Sequence, residues 1–503
     1  MSPVVLLLLG CTGVIKDDSA AGPVADTDAD ADTDADTDAD ADTDTSTGEP
    51  VCADGAFTAP DARSLPTAWG TDAFARDPTN TARCSSGQDV PAWTLTDLDG
   101  DGYTDLVITS DCEDAAVGTS TWRLSRGGAT GFAEPQAWSL PSFPQGSFLT
   151  PTGADATCST AGTPAWTTLD LTGDGRPDLL VTTDCDDATV GTSSWKVYIN
   201  NGAGFSPSPA TWRLPSGWGT GAFSEPSANT EDCGVPSPAY FVADLAGEGR
   251  PQLVITDDCT DDAVGTAAWS VYPNSGTSFS ATPAAWSLPS GYGESAFQRN
   301  YGPSLSCDAG IDWPLWFLTD MDGDTRQDVV VVASCTEADL GTTDWRVYPN
   351  DGAAFSAAGG RWTLPTGYPA DAFANAGTPE ADCGSGQPAW FVADLTADLQ
   401  PEIIVSTACD DATVGQTIWR VYVNGGARFD GHLVNWTLPE GYSPGAFGSA
   451  SANAPTCDGT ATAPAWRLAD LSHDGQNDMV ILDDCADDAV GTSTWLEFIG
   501  SCE

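Results

Sequence analysis

Short apolar runs alternate with polar turns along most of this chain. The runs are rich in Trp, Val, Leu and Thr, and they are bounded by Asp, Gly, Pro or Asn. Such runs predict β-strands joined by tight turns. One stretch shows the pattern clearly, with a predicted hairpin turn at Asn200-Asn201-Gly202. The strands predicted in this stretch are Ala165–Leu171, Asp178–Thr183, Thr192–Asn200 and Phe205–Leu214.

The predicted strands belong to an internal repeat. The segment that begins with Asp97 recurs, and its first Asp stands at positions 97, 170, 244, 320, 394 and 470. Successive copies are therefore 73, 74, 76, 74 and 76 residues apart. A nearly fixed period of this length indicates one structural unit repeated along the chain. We number the six copies as blades one to six.

Each copy resembles a known repeat family. The pattern Asp-x-Asp-x-Asp-Gly-x-x-Asp-Leu, as in Asp97–Leu106, is followed in the second copy by Val-Tyr-Ile-Asn-Asn-Gly-Ala-Gly-Phe over Val197–Phe205. These residues resemble the FG-GAP/VCBS repeat, which includes the β-propeller domain of integrin α chains, secreted bacterial proteins and fungal lectins. The resemblance covers about 450 residues and implies an all-β, six-bladed β-propeller. The cysteines and the Trp-x-Leu-Pro-x-Gly segments lie outside the family pattern.

The number of strands indicates how the ring closes. The last copy ends at its third strand, Thr494–Ile499, and lacks a fourth. The N-terminal segment Ala56–Pro66 aligns with fourth strands such as Phe205–Pro215. We therefore expect an N-terminal strand to complete the last blade and to give six four-stranded blades. An open array would need capping repeats instead.

The residues before the repeat differ in character from the rest. The apolar run Val4–Leu9 leads into Leu-Gly-Cys at Cys11, which resembles a bacterial lipobox and predicts lipidation of Cys11. An ordinary cleaved signal peptide is the alternative. Alternating Asp with Ala or Thr over residues 26–44 predicts a disordered spacer, because like charges repel and no apolar surface can be buried. The predicted domains are a lipoprotein-type signal peptide at 1–10, a disordered linker at 11–51 and the propeller at 52–503.

Fifteen cysteines point to an oxidising compartment. Apart from Cys11, twelve fall two per blade, and Cys52 and Cys502 flank the domain. In a propeller the connector before strand one lies on the same face as the loop between strands two and three, so the two cysteines of a blade can meet. The predicted disulfides are Cys52–Cys502, Cys84–Cys112, Cys158–Cys185, Cys233–Cys259, Cys307–Cys335, Cys383–Cys409 and Cys457–Cys485.

The loops between strands one and two carry the alternating oxygen ligands that a hard cation such as Ca²⁺ needs. We expect up to four structural Ca²⁺ ions, although plain Asp/Gly-rich turns are an alternative. Blades three and five depart from the pattern, at Ala246, Glu248 and Gln252 and at Leu399 and Glu402, so we expect these loops to be empty or weak. The predicted ligands, with a backbone carbonyl in fourth place, are Asp97, Asp99, Asp101, Tyr103 and Asp105; Asp170, Thr172, Asp174, Arg176 and Asp178; Asp320, Asp322, Asp324, Arg326 and Asp328; and Asp470, Ser472, Asp474, Gln476 and Asp478.

The net charge of the chain limits the classes of partner that it can bind. With 73 Asp and Glu against 17 Lys and Arg, the net charge is −56. A field of this sign opposes binding to nucleic acid or to an anionic membrane surface. We therefore expect the protein to contact a membrane only through a lipid anchor, at the surface of a Gram-negative outer membrane. The alternative is that the protein is secreted. We also expect a monomer.

Aromatic residues recur after the Leu-Pro step, on the face that carries the cysteines. Rings beside carboxylates are typical of carbohydrate binding, whereas packing between blades is the alternative. The candidate ligand-binding residues are Trp69, Trp218, Tyr292, Tyr368 and Tyr442.

These features favour a calcium-binding propeller of the cell surface that binds a glycan or protein ligand, as an adhesion module does. A secreted enzyme, such as a carbohydrate lyase or hydrolase, and a purely structural surface protein are the alternatives. We expect no catalysis, because the acidic residues repeat six-fold whereas an active site needs one blade to differ. The two histidines, His432 and His473, are expected on the face opposite the cysteines.

Overall fold

A computed structural model shows an all-β ring of six four-stranded blades, which confirms the expected fold. The structure describes residues 52, 54–76, 82–85, 88–150, 156–158, 162–228, 230–299, 305–307, 312–429, 431–457 and 462–502. The predicted signal peptide, Cys11 and the acidic linker lie outside the described residues. Within these ranges no helix is long and apolar enough to span a membrane.

The strands of each blade pair antiparallel with their neighbours from the first strand to the fourth, and in blades one to five this is also their order in the chain. The blades comprise Ala92–Thr96, Asp105–Ser110, Thr121–Ser125 and Gln136–Ser139; Ala165–Leu169, Asp178–Thr183, Ser194–Tyr198 and Ala210–Arg213; Ala239–Ala243, Gln252–Asp257, Ala268–Tyr272 and Ala284–Ser287; Leu315–Thr319, Asp328–Ala333, Asp344–Tyr348 and Gly360–Thr363; Ala389–Ala393, Glu402–Thr407, Ile418–Tyr422 and Leu433–Thr437; and Ala465–Ala469, Asp478–Asp483, Thr494–Phe498 and Asp61–Ser64.

The N-terminal strand closes the ring, as expected. Asp61–Ser64 pairs antiparallel with Thr494–Phe498 of blade six. The single strand predicted over Ala56–Pro66 is nevertheless wrong in its extent. Its first part, Gly55–Phe57, instead runs parallel to the fourth strand of blade five and antiparallel to Gly500–Cys502. Pro60 lies between the two parts. Because proline has no backbone N–H to donate to a neighbouring strand, it is suited to the point where the chain crosses between blades.

A similar crossing between blades makes the fourth strand of blade two shorter than predicted. Phe205, placed in that strand by the sequence, lies before it and donates its backbone N–H to the Ser139 carbonyl of blade one over 3.1 Å. Its ring lies edge-on to Trp122, with ring centroids 5.6 Å apart. The segment before each fourth strand therefore joins neighbouring blades rather than lengthening its own.

Tryptophans form much of the core between blades. A third-strand tryptophan packs against the first-strand tryptophan of the next blade, as Trp122 does against Trp166 at 5.6 Å between ring centroids. Trp345 with Trp390 and Trp419 with Trp466 repeat this contact at 5.8 and 5.6 Å. The interpretation of the strand tryptophans as packing residues is confirmed.

Two connectors also contain short hairpins that the sequence did not predict. They comprise Arg83–Ser85 with Gln88–Val90, and Thr456–Cys457 with Thr462–Ala463.

All seven predicted disulfides are present, with Cα–Cα separations between 5.1 and 5.5 Å. Six of them join a connector to the loop between strands two and three of the same blade, and we call this surface the disulfide-braced face. The seventh, Cys52–Cys502, lies on the opposite face, where His432 Nε2 donates to the Cys52 carbonyl over 2.5 Å. The ring is thus tied at its closure point and at every blade.

Candidate functional site

The six loops between strands one and two share one backbone conformation. In blade one the chain passes twice through the left-handed region, with φ of 78° at Gly100 and 93° at Gly102. Blade five keeps the same conformation without glycine, with φ of 60° at Ala397 and 67° at Leu399. Each non-glycine residue in this region costs roughly 1–2 kcal/mol, so surrounding contacts must hold the loop in shape.

The first carboxylate of each loop holds that turn. Asp97 accepts backbone N–H groups from Gly100 and Asp101 on Oδ1, at 2.8 and 3.2 Å, and from Gly102 on Oδ2 at 2.9 Å. The first Asp of blade five makes the corresponding bonds, as Asp394 accepts from Ala397 at 2.7 Å and from Leu399 at 2.9 Å. These bonds explain why the conformation survives the loss of glycine.

The last carboxylate of the loop is buried. Asp105 accepts N–H groups from Leu98 at 3.0 Å and from Gly127, in the turn between strands three and four, at 2.9 Å. Burial, opposed by these hydrogen bonds and reinforced by Asp99 and Asp97, raises the pKa of Asp105 to about 7. Burial also raises the pKa of Asp328 to about 7 and that of Asp178 to about 6. A nearby cation would favour the ionised form of each group.

Two of the four predicted calcium loops bring three carboxylates together. The groups are Asp97, Asp99 and Asp101 in blade one and Asp320, Asp322 and Asp328 in blade four, with ligand atoms within 4.8 Å of one another. Asp170 and Asp470 sit in loops where Thr172 and Ser472 supply hydroxyl oxygens, each 3.5 Å from the carboxylate of the first Asp.

Blade five forms a third group that the sequence did not predict. Asp394, Asp398 and Glu402 also bring their ligand atoms within 4.8 Å. Glu402 is fully buried, and burial followed by the charge of Asp394 raises its pKa well above the ordinary value. The extra methylene of Glu402 lets its carboxylate occupy the position that the carboxylate of the last Asp occupies in other blades. There it accepts the Leu395 N–H at 2.7 Å.

Blade three differs, because an amide replaces the last carboxylate of its loop. Gln252 Nε2 donates to Asp244 Oδ1 at 3.2 Å and to the Arg250 carbonyl at 2.6 Å. The N–H group thus contacts oxygens that a cation would contact in the other blades.

Arginines lie beside several loop carboxylates. Arg126 pairs with Asp99, Arg326 pairs with Asp324, and Arg176 Nη2 lies 2.5 Å from Asp174 Oδ2. Arg176 and Arg326 were predicted to contribute only their backbone carbonyls. Their side chains offset part of the negative charge of the loops.

On the disulfide-braced face, basic residues brace the acidic loops between strands two and three. Arg123 reaches Asp114 at 2.8 Å, and Lys196 reaches Asp184 at 2.5 Å. Arg346 and Arg420 do the same in blades four and five, contacting Glu337 at 2.8 Å and Asp411 at 3.1 Å. These ion pairs were not predicted, although in four blades a basic residue directly follows the third-strand tryptophan.

The five candidate ligand-binding aromatics are half-buried. Each packs edge-on against a buried phenylalanine, as Tyr368 does against Phe373 at 5.2 Å between centroids. The Tyr368 hydroxyl also lies 2.9 Å from that of Tyr422. Part of each ring thus packs in the core, while another part of the ring is at the surface. Trp313, which was not predicted as a ligand-binding residue, is 43% exposed in the connector between blades three and four.

A shallow cleft of about 400 Å³ opens beside one of these aromatics. It is lined by Gly367, Tyr368, Pro369, Gly386, Pro388, Cys409 and Asp410. The Asp410 side chain is exposed and lies 3.4 Å from Arg420 Nη1. An aromatic ring and a carboxylate therefore line one recess of the disulfide-braced face, and a guanidinium lies beside that carboxylate.

This chain is similar to known proteins only in its fold. No family model matches the sequence, and no curated protein matches it either. Among solved structures it is similar to the Tc holotoxin pore of Photorhabdus luminescens, at 16% identity and a TM-score of 0.46, over 89% of this chain but only 15% of that chain. A lectin of Agrocybe aegerita that recognises non-reducing terminal N-acetylglucosamine is similar at 16% identity and a TM-score of 0.39, over 81% of this chain and 78% of the lectin.

A rhamnogalacturonan lyase is also similar, at 15% identity and a TM-score of 0.28, over 87% of this chain and 75% of the lyase. These similarities are too low to bear on function.

Proposed function

We propose that this protein is a calcium-binding β-propeller of the cell surface whose disulfide-braced face binds a glycan or protein ligand. The cleft beside Tyr368 is the observation that carries the proposal, because a half-buried ring and the exposed Asp410 share one recess there. An aromatic ring can stack on the apolar face of a sugar while a carboxylate accepts hydrogen bonds from its hydroxyls.

Calcium binding is proposed for the loops of blades one, two, four and six, in keeping with the resemblance to FG-GAP/VCBS repeats. The convergence of Asp97, Asp99 and Asp101 supports it, since three carboxylates at such separations repel one another without a cation. The convergence in blade five makes that loop a further candidate. Bound ions would stabilise the folded ring, because they bind the folded chain and not the unfolded one.

The surface location is supported by seven disulfides, which persist in oxidising compartments. We propose lipidation at Cys11, with the acidic linker as a spacer. Cys52 lies on the face of the calcium loops, so a linker that joins the ring there would leave the disulfide-braced face pointing away from the membrane.

A screen of glycans and secreted proteins against the calcium-loaded protein tests this function. We expect at least one ligand whose affinity falls about tenfold or more in Tyr368→Ala, equivalent to roughly 1.4 kcal/mol. Ile199→Ala is the control, since Ile199 is an exposed apolar residue on the opposite face. Failure to find any ligand would favour a purely structural role, and equal losses in both variants would place binding elsewhere.

A further inference from the structure

Trp313 is the most exposed aromatic side chain in the described part of the chain. It lies in the connector between blades three and four, on the disulfide-braced face, directly before the proline that precedes the first strand of blade four. At this position the other blades have smaller side chains, which are Val90, Thr163, Ser237, Gln387 and Ala463. Blade four alone therefore presents a large aromatic ring here.

Trp313 is held firmly by its own connector. Its backbone exchanges two hydrogen bonds with Ser306, at 3.1 and 3.2 Å, and Ser306 adjoins the disulfide-bonded Cys307. The indole Nε1 donates to the Glu294 carbonyl at 2.8 Å. A ring that is fixed before binding loses less conformational entropy when a partner docks on it. Because the one polar atom of the ring already has an acceptor, the exposed part of the ring offers a partner only apolar and π surface.

Blade five shows that the connector does not need an indole for this hydrogen bond. Gln387 occupies the position of Trp313 there, and its Nε2 donates to the Ala370 carbonyl at 3.0 Å. Ala370 corresponds to Glu294 in the repeat. The side-chain amide of Gln387 therefore makes the same bond to the same backbone position without exposing a ring. The exposed ring surface in blade four is not explained by this bond.

The surroundings of the connector carry unpaired negative charge. Glu294 is exposed, and among the described residues it forms no ion pair. The connector also contacts the loop between strands two and three of blade three, where Phe297 donates its N–H to the Gly265 carbonyl at 2.9 Å. That loop lacks a basic partner, because Ser270 occupies the third-strand position of the basic residues of blades one, two, four and five. Its carboxylates, which form no ion pair within the described ranges, are those of Asp258, Asp261 and Asp262.

We propose that Trp313 docks an exposed Lys or Arg side chain of a protein partner. A cation over an aromatic face is attracted by the quadrupole of the ring, and tryptophan is the most effective aromatic residue for this contact. The unpaired carboxylates nearby attract cationic groups toward the ring. The inference rests on the proposed function, since it names one partner class for the same face. It favours a basic protein over a neutral glycan because the unpaired charge around the connector is negative.

Titration of the full protein with a hexa-arginine peptide tests the site. The peptide should change the tryptophan fluorescence of the wild type and leave that of Trp313→Gln unchanged, because the other tryptophans are buried or half-buried. Its dissociation constant should rise about two- to fivefold in Trp313→Gln. This variant loses the ring but keeps the hydrogen bond that Gln387 makes in blade five. Val235→Ala is the control, since Val235 is an exposed apolar residue in the connector between blades two and three.

Equal dissociation constants for the wild type and Trp313→Gln would overturn the inference. A change in Trp313 fluorescence with a neutral glycan but not with the peptide would also overturn it, because the ring would then stack on a sugar. A ligand that loses affinity in Tyr368→Ala but not in Trp313→Gln would leave the proposed function standing and contradict only this inference. Peptide binding that depends on Trp313 would support the inference even if the cleft beside Tyr368 binds nothing, so the two proposals fail separately.

Discussion

The side-chain amide of Asn200 donates a 2.7 Å hydrogen bond to the backbone carbonyl of Leu98. Asn200 lies in the turn between strands three and four of blade two, whereas Leu98 lies in the loop between strands one and two of blade one. Asn274, Asn350 and Asn424 make the corresponding bonds to Leu171, Leu245 and Met321. Each of these turns therefore holds the loop of the preceding blade.

Replacing Asn200 by Ala should destabilise the protein. The side chain is fully buried, and its loss leaves the Leu98 carbonyl without that donor, at a cost of about 1–3 kcal/mol. Urea unfolding measures the effect. Asn201→Ala is the control, because the Asn201 side chain is exposed and accepts a hydrogen bond from the nearby Ala203 N–H within the same turn. Equal stabilities of the two variants would show that the bond between blades contributes nothing.

A buried ion pair closes the ring. Arg63, on the N-terminal strand, lies 2.5 Å from Glu497 of blade six, and both side chains are at least 95% buried. Arg63→Met should lower the free energy of unfolding by about 3–5 kcal/mol, because it leaves Glu497 charged and unpaired. The double variant Arg63→Met with Glu497→Leu should recover most of this loss.

Denaturant unfolding of both variants checks the argument, with Asp61→Ala as an exposed control on the same strand. A single variant as stable as the wild type would contradict the importance of the pair for closure.

The acidic loops between strands one and two should make the free energy of unfolding depend on pH. The pKa of Asp105 is about 7 in the folded chain, raised by burial, whereas an Asp in an unfolded chain titrates near about 4. Between these values the folded state holds more protons than the unfolded state. The free energy of unfolding should therefore fall as pH rises from about 4 to about 7 when divalent cations are removed.

Urea unfolding at several pH values in chelator measures this slope, and Asp105→Asn should reduce it because an amide does not titrate. Added Ca²⁺ should flatten the slope, since a cation favours the ionised carboxylate. A free energy of unfolding that rises with pH in chelator would contradict this account.

The sequence predicted features that depend on local pattern. The repeat fixed the number of blades, and the position of each cysteine relative to its strands predicted all seven disulfides. It could not predict features set by distant contacts. The burial of Asp105 depends on Gly127, which lies in a turn 22 residues further along the chain.

The effect of side-chain length also could not be predicted from the repeat pattern. Glu402 differs from the Asp found in four other blades, and yet its longer side chain brings it back to Asp394 and Asp398.

Calorimetric unfolding with and without Ca²⁺ tests the central claim most directly. If the loops bind Ca²⁺ with dissociation constants of roughly 10⁻⁴–10⁻³ M, each occupied site should add about 1.4–2.7 kcal/mol at about 10 mM Ca²⁺. We predict a midpoint several degrees higher in Ca²⁺ than in chelator, and a smaller rise in the variant Asp99→Asn with Asp322→Asn. An unchanged midpoint would contradict the account, and the loops would then be acidic turns that bind no ion.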